Sequence, residues 1–249
     1  MIYAVFSDIH SNIEAFDVVM KFYKDFGDVD SYLFCGDIVG YGPNPNECLE
    51  KIKKIKNFHM VLGNHDAALV GKKNITWFNE YARETILWTK KVITKENIDF
   101  INSVAETISM NDINLLHGSP MKPLDEYIFS SEQCLNNMEK FYTKICFCGH
   151  THQPFIFEFD KNEKFKFIVP NFDKDKFEFK LSKQARYMVN VGSVGQPRDC
   201  NPKSCCVLYD DVDEKLFFQR LKYDIESTQK EMIKLGLPRF LAQRLSFGQ

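Results

Sequence analysis

Hydrophobic and polar positions change their spacing several times along the 249 residues of this chain, and each change marks an element. Ile2–Phe6 is an unbroken apolar run rich in strand formers, as in a strand covered on both faces. From about Asn12 to Phe26, apolar Ile13, Phe16, Val19, Met20 and Tyr23 recur at helical spacing, and Gly27 follows where a C-terminal cap falls. Ser31–Cys35 and Phe58–Leu62 repeat the strand pattern. Between them Asn44 suits a helix cap, Pro45 a first turn, and Glu47 the reciprocal position of a capping box. Strand and helix alternating at this spacing predict βαβ units and a parallel sheet.

Beyond Asn74 the period becomes helical. Residues 75–107 predict a helical pair packed on the sheet and overhanging a cleft, with Trp77, Tyr81 and Trp88 as an aromatic face read as core rather than as a base-stacking platform. Strand character returns at Ile113–Leu116, at Ile145–Cys148 and in closely spaced runs from Phe155 to Tyr223. Those later runs alternate Phe or Ile with Lys or Glu, which predicts antiparallel hairpins forming a second sheet with one solvated face. A last helix is predicted around Ile225–Leu235, and residues 236–249 carry no assignment. Without a linker, repeat or low-complexity tract, residues 1–249 read as one domain.

Composition narrows the picture. With 44% hydrophobic and 27% charged residues the chain is ordinary for a globular protein, and 23 Phe point to aromatic packing between layers. Against 34 acidic residues stand 32 basic ones, a formal charge of −2, which offers no broad surface for nucleic acid or an anionic membrane. No segment approaches about 18 consecutive apolar residues. The start lacks a basic n-region and reads as a first strand, not a signal peptide. The eight cysteines show no paired CxxC spacing and read as reduced, buried thiols, from which a cytoplasmic location is expected.

Chemistry concentrates where the strands end. Five of the six histidines follow predicted strands: His10 in SDIH, His65 in GNHD, His117 in LLHGSP, and His150 and His152 in CGHTH. Asp8 and Asp37 hold matching places after their own strands. The carboxyl ends of parallel strands form a crevice, so these groups converge on one rim. Asp8, His10, Asp37, Asn64, His117, His150 and His152 exceed what a single tetrahedral zinc takes, but suit two transition-metal ions sharing a carboxylate. Two ions about 3.5–4 Å apart suit in-line hydrolysis of a phosphate ester. His59 lies outside these motifs and reads as structural. Lys51, Lys53, Lys54 and Lys56 read as a solvated helix face, and Asn12 as a helix cap.

Taken in order, Asp-x-His, Gly-Asp, Gly-Asn-His-Asp, His-Gly and Gly-His-Thr-His over residues 1–152 resemble the calcineurin-like metallophosphoesterase superfamily. The stretch NVGSVGQPRD at 190–199 resembles its small prokaryotic phosphoesterase and phosphodiesterase branch. The resemblance implies an α/β fold, a four-layer α-β-β-α sandwich of two mixed sheets flanked by helices. It implies Asp8, His10 and His152 on one ion, Asn64, His117 and His150 on the other, and Asp37 bridging both. Manganese is foremost among the ions, ahead of Fe, Ni, Co and Zn. By the same resemblance, a hydroxide shared by the two ions attacks phosphorus and His65 protonates the leaving group. Gly63 would let the chain turn beside these residues; Asp66 would orient an imidazole or cap a helix. Ser193 and Arg198 are candidate substrate contacts, the guanidinium as a phosphate clamp.

The implied function is metal-dependent hydrolysis of a small phosphate ester, phosphodiesters first, with nucleotides among the candidates. Phosphomonoesters, dinucleoside polyphosphates and phosphoproteins are the alternatives within the class. A non-catalytic scaffold on the same fold is the alternative outside it.

Overall fold

The side chains of β1 (Ile2–Phe6) alternate between two cores: Ala4 and Phe6 face helices, whereas Tyr3 and Val5 face a second sheet. This arrangement belongs to a computed structural model describing residues 1–249. After β1 come α1 (Ile13–Phe26), β2 (Ser31–Phe34), α2 (Pro45–Ile52), β3 (Phe58–Met60), α3 (Asn64–Leu69), α4 (Glu80–Val92) and α5 (Lys95–Asn102). The middle of the chain supplies β4 (Thr107–Met110), β5 (Ile113–Leu116), α6 (Ser131–Asn137), β6 (Ile145–Cys148), β7 (Phe155–Asp160) and β8 (Phe165–Ile168). Last come β9 (Lys176–Lys180), β10 (Ala185–Asn190), β11 (Ser204–Asp210), β12 (Lys215–Leu221), α7 (Ile225–Lys234) and α8 (Arg239–Arg244).

Two six-stranded sheets result, ordered β3-β2-β1-β11-β12-β9 and β4-β5-β6-β10-β7-β8. Both are mixed: β1, β2 and β3 run parallel and β11 antiparallel to β1, while β5, β6 and β10 run parallel and β7 antiparallel to β10. Between the sheets lie Val5, Leu33, Phe147, Val189, Val207 and Phe218. Helices α1 and α2 cover the outer face of the first sheet through Phe16, Val19, Leu49 and Ile52. Cys134, Met138 and Phe141 cover part of the second. This is the α/β four-layer sandwich expected from the sequence.

Several expectations need correction. The runs from Phe155 to Tyr223 do not make one sheet: β7, β8 and β10 join β5 and β6, whereas β9, β11 and β12 complete the sheet begun by β1. Alternation fixes which side chains share a face, not which strand lies alongside. The predicted strand Phe58–Leu62 ends at Met60, and the Leu62 N–H is taken instead by the Ala105 carbonyl at 2.7 Å. Strand β4 begins at Thr107, inside the region read as helical, and pairs antiparallel with β5.

The aromatic face is divided. Trp77 is 80% exposed in a 3-10 turn at Ile75–Trp77 and is not core. Tyr81 is also exposed and stacks on Phe240, while Trp88 packs on a cluster of Tyr41, Met232, Leu237, Leu241 and Leu245. Residues 236–249 thereby close over the loop carrying Tyr41. Seven cysteines are buried and Cys200 is exposed. No helix is long and apolar enough to cross a membrane.

Candidate metal centre

Segments leaving β1, β2, β3, β5 and β6 carry the polar groups to one rim. The backbones of Asp8, His10, Asp37, His150 and His152 all take left-handed φ values, from 49° to 67°. Such conformations cost non-glycine residues about 1–3 kcal/mol each and persist where the surroundings hold them. Here the surroundings are cross-loop hydrogen bonds: Asp8 N–H to the Gly36 carbonyl at 3.0 Å, His10 N–H to the Asp37 carbonyl at 3.1 Å, and His150 N–H to Asp8 Oδ2 at 3.1 Å.

All seven expected ligands meet. His10 Nε2 and His152 Nε2 stand 3.1 Å apart, with Asp8 Oδ1 at 3.7 and 3.2 Å from them. On the other side His117 Nε2 lies 2.9 Å from Asn64 Oδ1 and 3.2 Å from Asp37 Oδ2, and His150 completes the group. Asp37 Oδ2 is also 3.8 Å from His10 Nε2, which puts its carboxylate between the two groups.

Three of the four imidazoles are oriented from behind. Nδ1 of His10 faces the Val39 carbonyl at 3.0 Å, Nδ1 of His117 the Cys35 carbonyl at 2.8 Å, and Nδ1 of His152 the Gln196 carbonyl. A carbonyl only accepts, so Nδ1 carries a proton in all three. On neutral His10 and His152 this leaves the Nε2 lone pair toward the centre. His117 Nε2, set between the acceptors Asn64 Oδ1 and Asp37 Oδ2, instead carries a proton that a cation would displace. Two lone pairs at 3.1 Å repel unless a cation lies between them. Asp8 Oδ1 and His150 Nε2 are buried without a hydrogen-bond partner, as ligand atoms would be. Imidazole, carboxylate and amide donors together fit divalent transition metals.

Burial sets the proton affinities. It holds His10, His150 and His152 below the ordinary imidazole value, with His152, His117 and Arg198 respectively adding to it. His65, likewise buried, is pushed down to about 4 against the pull of Asp37, well below the unperturbed value that neutral-pH proton transfer would suit. Burial also opposes charge on His117, but the Asp37 carboxylate outweighs it and raises this imidazole to about 9. Burial would raise Asp37 itself, yet His117, His65 and His10 together hold it well below the carboxylate range.

His65 lies in the first turn of α3, its ring tilted against Tyr41 at 4.6 Å and edge-on to Phe78 at 5.1 Å, and its Nδ1 is buried without a partner. Gly63 has φ −93°, open to any residue, so a turn does not demand glycine. What demands it is space, since a Cβ there would lie 2.0 Å from Asp37 Oδ1. Asp66 does more than cap α3. Its carboxylate accepts the Gly63 N–H at 3.1 Å and, from the loop after β2, those of Asp37, Ile38 and Val39 at 2.8, 3.0 and 3.2 Å.

Ser193 is fully buried, donating to the Asp8 carbonyl at 3.0 Å and accepting from Gln196 N–H at 2.9 Å, so its hydroxyl braces the Asp8 loop rather than facing a substrate. Arg198 is partly exposed, its guanidinium 5.7 Å from the Tyr41 ring and bonded to Gln196 Oε1, with Nε left unpartnered. Asn12 caps α1, accepting the Ala15 N–H at 3.1 Å. Tyr41, Phe78 and Tyr127 also line the cleft above the centre, and no local motif marks them.

Comparisons with known proteins agree with this geometry. Residues 1–213 match the calcineurin-like phosphoesterase superfamily domain. An uncharacterized protein of Methanocaldococcus jannaschii is 38% identical over 254 residues, spanning 99% of this chain and 98% of the relative. A metallophosphoesterase from Sphaerobacter thermophilus superposes with a TM-score of 0.87 at 34% identity, covering 100% of this chain and 99% of its own. A hypothetical protein from Pyrococcus horikoshii shares the fold at a TM-score of 0.80 and 19% identity, covering 100% and 98%. The chain belongs to the calcineurin-like phosphoesterase superfamily.

Proposed function

From its place in that superfamily, we propose that the chain hydrolyses phosphodiesters with two divalent cations, manganese foremost. Asp8, His10 and His152 would hold one ion, Asn64, His117 and His150 the other, and Asp37 both. Bound there, such ions lower the pKa of a shared water and offset charge on phosphoryl oxygens. The observation that carries this reading is the pair of facing His10 and His152 Nε2 atoms beside unpartnered Asp8 Oδ1.

Within this reading the chain's own groups divide the work. His10 and His152 are held as Nδ1–H tautomers by carbonyls, so their rings need no reorganisation when a ligand arrives. The His117 ring is held the same way and would give up only its Nε2 proton. Arg198 supplies a guanidinium for the phosphate oxygens. His65 is neutral at pH 7, and the negative charge of an arriving phosphate raises its proton affinity until a ring nitrogen can hold, then release, a proton to the leaving oxygen. A cleft of about 720 Å³ opens over Asn64, His65 and His150. It leaves room for a second ester substituent, which favours diesters over monoesters.

The test compares bis-p-nitrophenyl phosphate with p-nitrophenyl phosphate after chelation and reloading with Mn²⁺, Co²⁺, Ni²⁺, Zn²⁺ or Fe²⁺. Metal-dependent turnover with a higher kcat/KM for the diester is expected. Turnover of neither substrate with any ion overturns the reading in favour of a scaffold.

A further inference from the structure

The cleft over the metal centre is aromatic in an ordered way. Nearest the floor, Tyr127 stacks on the His150 ring with centroids 3.7 Å apart, and Phe78 stands edge-on to His65. Farther out, the indole of Trp77 forms the rim. Its backbone is fixed by the 3-10 turn, in which Asn74 Oδ1 accepts the Thr76 N–H at 2.9 Å. Tyr142 and Val212 are about as exposed as Trp77, but neither lines this cleft, and isolated surface apolar groups are ordinary. Trp77 differs in being exposed toward a cavity whose floor is the metal centre.

The polar lining excludes an alkyl occupant. Lys73, Asn79, Lys122 and Asp125 stand among the aromatic rings. Lys73 is ion-paired with Asp125 and lies 6.0 Å over the Phe78 ring. A hydrocarbon chain would strip water from Asn79, Lys122 and the Lys73–Asp125 pair and return no hydrogen bond. A planar heteroaromatic ring suits them, presenting a π-face to indole and phenol and donors and acceptors along its edge. The cavity volume lies in the range of small-molecule sites and exceeds what a phosphate alone requires.

We propose that the cleft selects phosphodiesters of nucleosides, with Trp77 and Tyr127 reading the base while the phosphate lies over His65 and the metal ligands. The proposal rests on the phosphoesterase reading above and adds a substrate class and two specificity residues to it.

Two diesters that differ only in the base provide the test: the methyl esters of adenosine 5′-phosphate and of ribose 5-phosphate, with the manganese-loaded full chain. Wild type favours the adenosine diester in kcat/KM by about 10- to 100-fold, through KM. Trp77→Ala, at an exposed position that folding does not need, brings that ratio down toward one, and Tyr127→Leu lowers it too. Separately, in the metal-free Trp88→Phe protein, adenosine 5′-monophosphate quenches the fluorescence of Trp77 saturably. Equal hydrolysis of both diesters, or a ratio unmoved by Trp77→Ala with no quenching, overturns the proposal and leaves the phosphoesterase intact. Quenching without hydrolysis of either diester, and with none of bis-p-nitrophenyl phosphate under the same conditions, overturns the phosphoesterase reading instead.

Discussion

His10 and His152 bring their Nε2 atoms within 3.1 Å of each other across 142 positions of sequence. With Nδ1 of each facing a carbonyl, both present lone pairs, and the metal-free centre is destabilised by its own geometry. A ligand that binds only the folded chain stabilises it by about 2.7 kcal/mol at a hundredfold excess over Kd. For a chain of this size that is a rise in Tm of roughly 5–10 °C. Thermal melts of chelated protein with and without Mn²⁺ measure it, and His10→Ala should remove most of the shift.

Asp37→Asn tests the shared carboxylate. Supporting groups of a metal site already contribute about 10- to 100-fold, so losing the bridging ligand should lower turnover further and leave less than one ion per two sites by elemental analysis. A variant retaining full metal and activity contradicts the role given to Asp37. His65→Ala should keep both ions yet slow alkyl esters far more than nitrophenyl esters, whose leaving group needs no proton.

Gly40 has φ +92°, and a Cβ there would lie 2.4 Å from His65 Nδ1. Gly40→Ala should therefore displace the imidazole and lower kcat with metal content unchanged. Gly27 provides the control: its φ is +101°, but nothing lies within 4 Å of an added Cβ. Gly27→Ala should cost about 1–3 kcal/mol of backbone strain in urea denaturation and leave kcat unaltered.

Acidity gives a signed prediction for metal-free protein. His10, His65, His150 and His152 have depressed folded pKa values, chiefly through burial, with His65 at about 4. Between about pH 6.5 and 4 the unfolded chain binds protons that the folded chain does not, so stability falls on acidification. Asp66, raised to about 7 by burial and by Asp37, works the other way as one group against four. His117, raised to about 9, binds its proton more tightly in the folded state, so stability also falls as pH rises from about 6.5 to 9. Urea denaturation across pH should show a maximum near 6.5, with the steeper limb on the acid side.

Arg220 is a buried cation on β12, ion-paired with Asp199 and lying 4.6 Å over the Phe172 ring. Asp199 adjoins Arg198, so the pair anchors the loop that presents the candidate phosphate clamp. Arg220→Met leaves the carboxylate without its partner and should cost about 3–5 kcal/mol in denaturant unfolding. In whatever protein remains folded, KM should rise more than kcat falls.

The candidate ligands were legible in the sequence because each sits in a short motif directly after a strand. Asp8 and His10, Asn64 and His65, and His150 and His152 are local pairs, and a parallel sheet gathers strand ends whatever lies between them. Other features needed neighbours distant in the chain. Asp66 accepts the N–H of Asp37 across 29 positions, and Ser193 donates to the Asp8 carbonyl across 185. The division of the late strands between two sheets, and the exposure of Trp77 at a cleft instead of burial, likewise arise only from packing. Hydrophobic periodicity states which side chains share a face. It carries no information about the strand or loop that the face will meet, and that choice belongs to the tertiary structure.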